Sequence, residues 1–184
     1  MIHVNLLPIR LTAVGLVLLF STGALAAGKH SGGHGHGEAG VNGMPGKPAD
    51  ATRTVEITMT DNRYSIEKIS VKKGETIRFV IENKGELVHE FNIGTPKMHA
   101  EHQKEMEMMV EHGVLEADRI NHARMKMDMG GGKTMAHDDP NSVLLEPGKS
   151  AEIIWTFTTN TELEFACNVP GHYDAGMVGK LHVK

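Results

Sequence analysis

Two stretches of the chain, 54–94 and 141–184, alternate apolar and polar residues in short runs broken by turn residues. A period of two fits half-buried β-strands and not helices. In the first stretch Val55, Ile57 and Met59 alternate with Glu56, Thr58 and Thr60, and Ile77, Phe79 and Ile81 alternate with Arg78, Val80 and Glu82. Lys72-Lys73-Gly74-Glu75 and Asn83-Lys84-Gly85-Glu86 supply turn chemistry between runs. With 68–71 and 88–93, four strands are expected. The second stretch offers 142–145, a turn at Glu146-Pro147-Gly148-Lys149, and a strand with Ala151, Ile153, Trp155 and Phe157 on one face. Strands at 161–166 and 178–183 close it. About seven or eight short strands predict an all-β fold, a Greek-key β-sandwich.

The block 95–140 lacks this alternation and reads as a helical insertion into a domain spanning 54–184. Thr95-Pro96 is a helix start, with Thr as N-cap and Pro in the first turn, and Gly113 is its stop. A second helical stretch is expected over 115–129, running into Gly130-Gly131-Gly132.

The amino-terminal region divides in two. Arg10, the apolar run 11–20 and Ala24-Leu25-Ala26 describe a signal peptide over 1–26, cleaved near Ala26. A retained membrane anchor is the alternative, but a spanning helix needs roughly 20 apolar residues, and Pro8 and Arg10 interrupt this run. Export to the periplasm is therefore expected, with no stable membrane span left after cleavage. Loss of Arg10 moves the formal charge from −4 to −5, which leaves no basic patch for nucleic acid. Residues 27–53 are rich in Gly, His, Ala and Pro and read as a flexible tail.

Cysteine usage narrows the chemistry. The chain has one Cys, Cys167, so an exported form has no internal disulfide and its thiol is free, intermolecular or a metal ligand. The loop Cys167-Asn-Val-Pro-Gly-His172-Tyr-Asp-Ala-Gly-Met177 sets a thiolate, an imidazole and a thioether between two expected strands. Mixed N and S donors with a weak Met suit copper better than zinc. His89, on a strand of the first stretch, is the candidate for the missing second imidazole. His182 reads as a surface residue.

On these residues (Cys167, Pro170-Gly171-His172, Gly176-Met177 and Val88-His89) the chain resembles the cupredoxin, or type 1 blue copper, family. The Cys-x4-His-x4-Met spacing is like that of rusticyanin and auracyanin. The resemblance spans 54–94 and 141–184. It implies a cupredoxin-type sandwich in which His89, Cys167 and His172 bind one copper in the plane and Met177 binds axially. Many members follow the first His with Asn or Ser, which ties the two ligand loops together; this chain has Glu90.

The insertion holds eight of the twelve Met residues and five His. Helical spacing puts Met98, His102, Met106 and Met109 on one face, and His122, Met125 and Met129 on another. Thioethers select copper(I) and imidazoles take both copper states, so extra copper(I) binding is one expectation, and packing of a helical hairpin is the other. The tail residues His30, His34 and His36 are either a metal-scavenging site or a solvated linker. Copper tolerance, resembling periplasmic copper-resistance cupredoxins, is the leading expectation. Copper ions are the expected partners, with a periplasmic cytochrome, oxidase or copper-export component beyond them. A soluble electron carrier serving a respiratory partner is the alternative. An enzyme is disfavoured, with copper(I) oxidation open as a side activity.

Overall fold

The computed structural model describes residues 40–126 and 136–184. The expected signal peptide, His30, His34, His36 and Met129 lie outside them. Among the described residues there are ten strands: β1 (Met44–Pro45), β2 (Arg53–Thr60), β3 (Arg63–Tyr64), β4 (Lys68–Val71), β5 (Thr76–Asn83), β6 (His89–Gly94), β7 (Ser142–Leu145), β8 (Ser150–Thr156), β9 (Leu163–Ala166) and β10 (Val178–Val183). They form two five-stranded sheets, in the orders β1-β8-β5-β2-β3 and β4-β10-β9-β6-β7.

The period-two pattern explains the register. On β5 the inward residues Ile77, Phe79 and Ile81 are fully buried, while Arg78 and Glu82 face solvent. The parallel partner β2 sets Ile57 opposite Ile81, and antiparallel β8 sets Trp155 opposite Ile77 and Ile153 opposite Phe79. A one-residue slip of any of these strands would send its apolar set to water. Tyr64, Phe79, Phe91 and Phe165 meet in the core, with Tyr64 and Phe165 ring centres 5.1 Å apart and Phe79 and Phe91 5.5 Å apart. Such pairs add about 0.5–1.5 kcal/mol each beyond their buried area.

Strand β6 is buried along its whole length. Phe91 and Ile93 enter the main core, so alternation turns Glu90 and Asn92 to the opposite face. That face is covered by helix α1 (Pro96–Glu111), which packs on β6 and β9. The helix starts as expected, with Thr95 Oγ1 accepting the Met98 N–H at 3.2 Å and Pro96 in the first turn. It ends at His112, followed by Gly113 at φ +64°. Met106 and Met109 are buried with Val88, Val114, Leu115 and Ile120 in a second apolar cluster.

Two expectations are corrected. Of the helix expected over 115–129, the described residues up to 126 hold one turn, α2 (His122–Met125), and 127–129 lie outside them. Before it the chain doubles back: Leu115 bridges Ile120, and Asn121 N–H donates to Val114 O at 2.7 Å. This hairpin buries both Leu115 and Ile120, and Asn121 then caps α2 by accepting the Arg124 N–H. The tail expected over 27–53 ends earlier, because β1 adds to the free edge of β8. Trp155 Nε1–H donates to Asn42 O at 2.7 Å, and Asn42 Nδ2–H donates to Ile93 O at 3.0 Å. Gly43, at φ +113°, permits this approach, since a Cβ there would strike Thr156 O and the Trp155 ring. The segment has few apolar side chains and is held by hydrogen bonds of its backbone and of the Asn42 and Trp155 side chains. No helix among the described residues is long and apolar enough to cross a membrane.

Candidate metal centre

The sheet order delivers three of the expected donors to one end of the second sheet. His89 opens β6, Cys167 follows β9 directly, and β6 and β9 are hydrogen-bonded neighbours. Met177 directly precedes β10, which pairs with β9 on its other side. Between Cys167 and Met177 the loop turns back on itself. His172 N–H donates to Val169 O, Met177 N–H to His172 O and Cys167 N–H to Met177 O, at 2.9, 3.0 and 3.1 Å. His172 is thereby folded over the thiol, and Met177 is buried in the core beside Cys167.

Three ligating atoms converge. Cys167 Sγ lies 3.3 Å from His172 Nδ1 and 4.0 Å from His89 Nδ1, and the two Nδ1 atoms are 3.2 Å apart. Cys167 and His89 are fully buried, and His172 is partly exposed. Burial pushes the Cys167 thiol up to about 12, and the nearby Glu90 charge adds to the rise against hydrogen bonds from backbone N–H groups. Burial also lowers both imidazoles, His172 further through His89, while Asp61 opposes the shift in each. Neutral imidazoles keep lone pairs for a metal, and a buried thiol becomes a ligand by giving its proton up to one.

Asp61 and Glu90 orient these donors. Asp61 Oδ1 sits 3.0 Å from His89 Nε2 and accepts the N–H groups of Glu86 and Leu87. Its hydrogen bond to His89 is the largest influence holding the Asp61 carboxyl below its ordinary value. With Nε2–H donating to Asp61, Nδ1 is left as the lone-pair nitrogen facing Cys167, the arrangement that sets ring orientation at metal-binding histidines. Gly85 permits it, because a Cβ there would strike Asp61 Oδ1 and stand 2.9 Å from His89 Nε2.

Glu90, which departs from the family pattern, ties the two loops by another route. Its backbone N–H donates to Cys167 Sγ at 3.3 Å, and its Oε2 accepts Asn168 N–H and Nδ2–H at 3.1 and 2.8 Å. Its carbonyl accepts the Tyr64 hydroxyl at 2.6 Å. The carboxylate is fully buried; burial raises its pKa, but the charges and hydrogen bonds of His102 and His137 hold it well below the carboxylate range. The sequence marked Glu90 as a departure, and nothing in it marked Asp61 or Asn168.

The insertion does not present its expected faces as single ligand sets. Met106 and Met109 are packed in the second apolar cluster, Met98 is half-buried, and His102 turns to Glu90. His122 is exposed, and Met125 packs against the cluster of Met106 and Met109. His182 is exposed, as expected.

Comparison with known proteins agrees with this architecture. A cupredoxin-like domain model matches residues 15–111. A copper-resistant cuproprotein CopI of Pseudomonas aeruginosa is 48% identical over 98% of this chain and 97% of its own length. A CopI of Rubrivivax gelatinosus is 38% identical over 84% of this chain and 81% of its own. Among solved structures, auracyanin B superposes with a TM-score of 0.55 at 18% identity, covering 79% of this chain and 96% of that one. A dithionite-reduced auracyanin of Roseiflexus castenholzii gives 0.51 at 24% identity, covering 73% and 98%; both likenesses concern the fold. A two-sheet sandwich with a Cys-His-Met loop at one end, and close similarity along nearly the whole chain, place this protein in the cupredoxin-like family.

Proposed function

We propose that the chain is an exported, periplasmic copper-binding protein of copper tolerance. In this reading His89, Cys167, His172 and Met177 would hold one type 1 copper. The observation that carries it is the convergence of one sulfur and two Nδ1 atoms, from the start of β6 and the loop after β9, within 4.0 Å of one another. A thiolate, two imidazoles and a thioether are the donors a blue copper site uses. The bound metal would supply one-electron chemistry, alternating between copper(I) and copper(II).

The chain's own residues do the rest. Asp61 fixes the His89 tautomer, the Glu90 N–H steadies the Cys167 sulfur, and Asn168 locks the loop to β6. The buried His89, Cys167 and Met177 keep water from the donors, while His172 alone among the four reaches toward solvent. The relatives named as copper-resistant cuproproteins support tolerance as the biological setting. The family supports the role of a copper-binding protein, with copper(I) oxidation open as a side activity. Extra copper(I) binding by the insertion is narrowed, because packing accounts for Met106 and Met109.

A strain lacking the protein tests this. Wild-type chain is expected to restore growth in copper, and Cys167→Ser, which keeps the side-chain volume nearly unchanged, is expected to fail. Equal growth with both would remove the site from the tolerance function. The partly exposed His172 favours a second reading, electron carriage to a periplasmic partner. That reading predicts fast electron exchange with a periplasmic cytochrome and unchanged copper tolerance on loss of the protein.

A further inference from the structure

On the outer face of β6, away from the core, three side chains from separate parts of the chain meet at one point. Glu90 comes from β6, His102 from α1 and His137 from the segment leading into β7. Nε2 of His102 and of His137 stand 2.9 and 2.7 Å from Glu90 Oε1 and 3.1 Å from each other. Their side chains are 12%, 3% and 0% exposed for His102, His137 and Glu90. Donors around a four-coordinate ion at about 2.0–2.2 Å stand roughly 3.3 Å apart, close to these separations. We propose that Glu90, His102 and His137 form a second metal site, for a divalent transition ion of the copper(II) or zinc(II) kind, separate from the His89–Cys167–His172 centre.

Hydrogen-bond capacity supports a cation here. A carboxylate offers about four acceptor positions. Glu90 Oε2 already takes two bonds from Asn168, and Oε1 faces the Ser142 hydroxyl at 2.6 Å and Asn92 Nδ2 at 3.3 Å. Adding two imidazole N–H donors brings six groups to four positions. One ion in place of those two donors relieves the crowding on Oε1.

The setting of His102 fits such an ion. Its Nδ1 lies 3.0 Å from Glu105 Oε2, which accepts the Nδ1–H. Burial lowers the pKa of His102, but the Glu90 and Glu105 carboxylates raise it to about 10, so without metal the ring donates from both nitrogens, and an ion at Nε2 would take the place of the Nε2 proton. A carboxylate behind the far nitrogen is the usual support of a metal-binding histidine. Two imidazoles and a carboxylate, with no sulfur, suit divalent copper or zinc better than copper(I).

The test uses the full mature chain with its first centre loaded, titrated with copper(II) and separately with zinc(II), beside His137→Gln and His102→Ala. His137→Gln keeps a hydrogen-bond donor for Glu90 while removing the imidazole, so it guards against a folding defect. Any metal held by the tail is common to all three proteins and cancels. Each variant is expected to retain one equivalent less than wild type after desalting. The wild-type copper(II) resonance spectrum is expected to show an added signal with imidazole nitrogen coupling that both variants lack, while the thiolate absorption of the first centre is unchanged. Equal metal content and identical spectra in all three would overturn the site and leave a protonated His102 paired with Glu90. Loss of thiolate absorption from wild type would count against the first centre and leave this comparison standing.

Discussion

At the residue scale, the site depends on groups that bind no metal as much as on those expected to. Asp61 is one. Replacing it with Ala removes the acceptor that fixes His89 Nε2–H, and changes of this kind cost about 10–100-fold in metal affinity. Competition against a chelator should read that loss in Asp61→Ala while the thiolate absorption persists in loaded protein. Gly85→Ala should reproduce it, since its Cβ displaces Asp61 Oδ1 and His89 Nε2; unchanged affinity in both would show that Asp61 does not set the ring. The loop Cys167-x4-His172-x4-Met177 stood out in the sequence as donor side chains at short spacing, and His89 as a histidine on a strand of the first stretch. Asp61 did not, because its partner is 28 residues away and an Asp beside Asn62 reads as a turn. Glu90 was legible only as a departure; its bonds to Asn168 span 78 residues and appear only once β6 and β9 are paired.

At the scale of elements, the insertion works as a cover. Helix α1 closes the outer face of β6, and the cluster of Val88, Met106, Met109, Val114, Leu115 and Ile120 fastens it there. Met106 is fully buried, so Met106→Ala should destabilise the protein by about 2–5 kcal/mol, the range for truncating a buried Met. Urea unfolding measures it, and a change below about 0.5 kcal/mol, typical of a surface position, would refute the packing role. The insertion is therefore better probed by point substitutions than by deleting 95–137, which would bare β6. Capping chemistry made α1 legible from Thr95-Pro96 to Gly113. The second helix misled because a 3.6-residue period cannot distinguish a continuing helix from a hairpin that buries Leu115 against the same cluster. Strand β1 was hidden for the converse reason: backbone pairing with β8 leaves no mark in a two-residue run, Met44-Pro45, set between glycines.

At the scale of the molecule, the sandwich brings distant donors together by strand order alone. With β9 between β6 and β10, the start of β6, the exit of β9 and the entry to β10 share one end of a sheet. The two-sheet architecture was readable from period-two runs, because each buries one face and a register slip would be costly. The order of strands within the sheets was not readable, since it is set by pairings between segments far apart in the chain. The account's central claim is that this end of the sandwich holds copper through the Cys167 sulfur. Its most direct measurement is the visible absorption of the copper-loaded protein beside loaded Cys167→Ser. An intense thiolate-to-copper band in wild type, lost in the variant, is the predicted result. A colourless wild-type protein with one copper bound, or a band that survives the substitution, would contradict it.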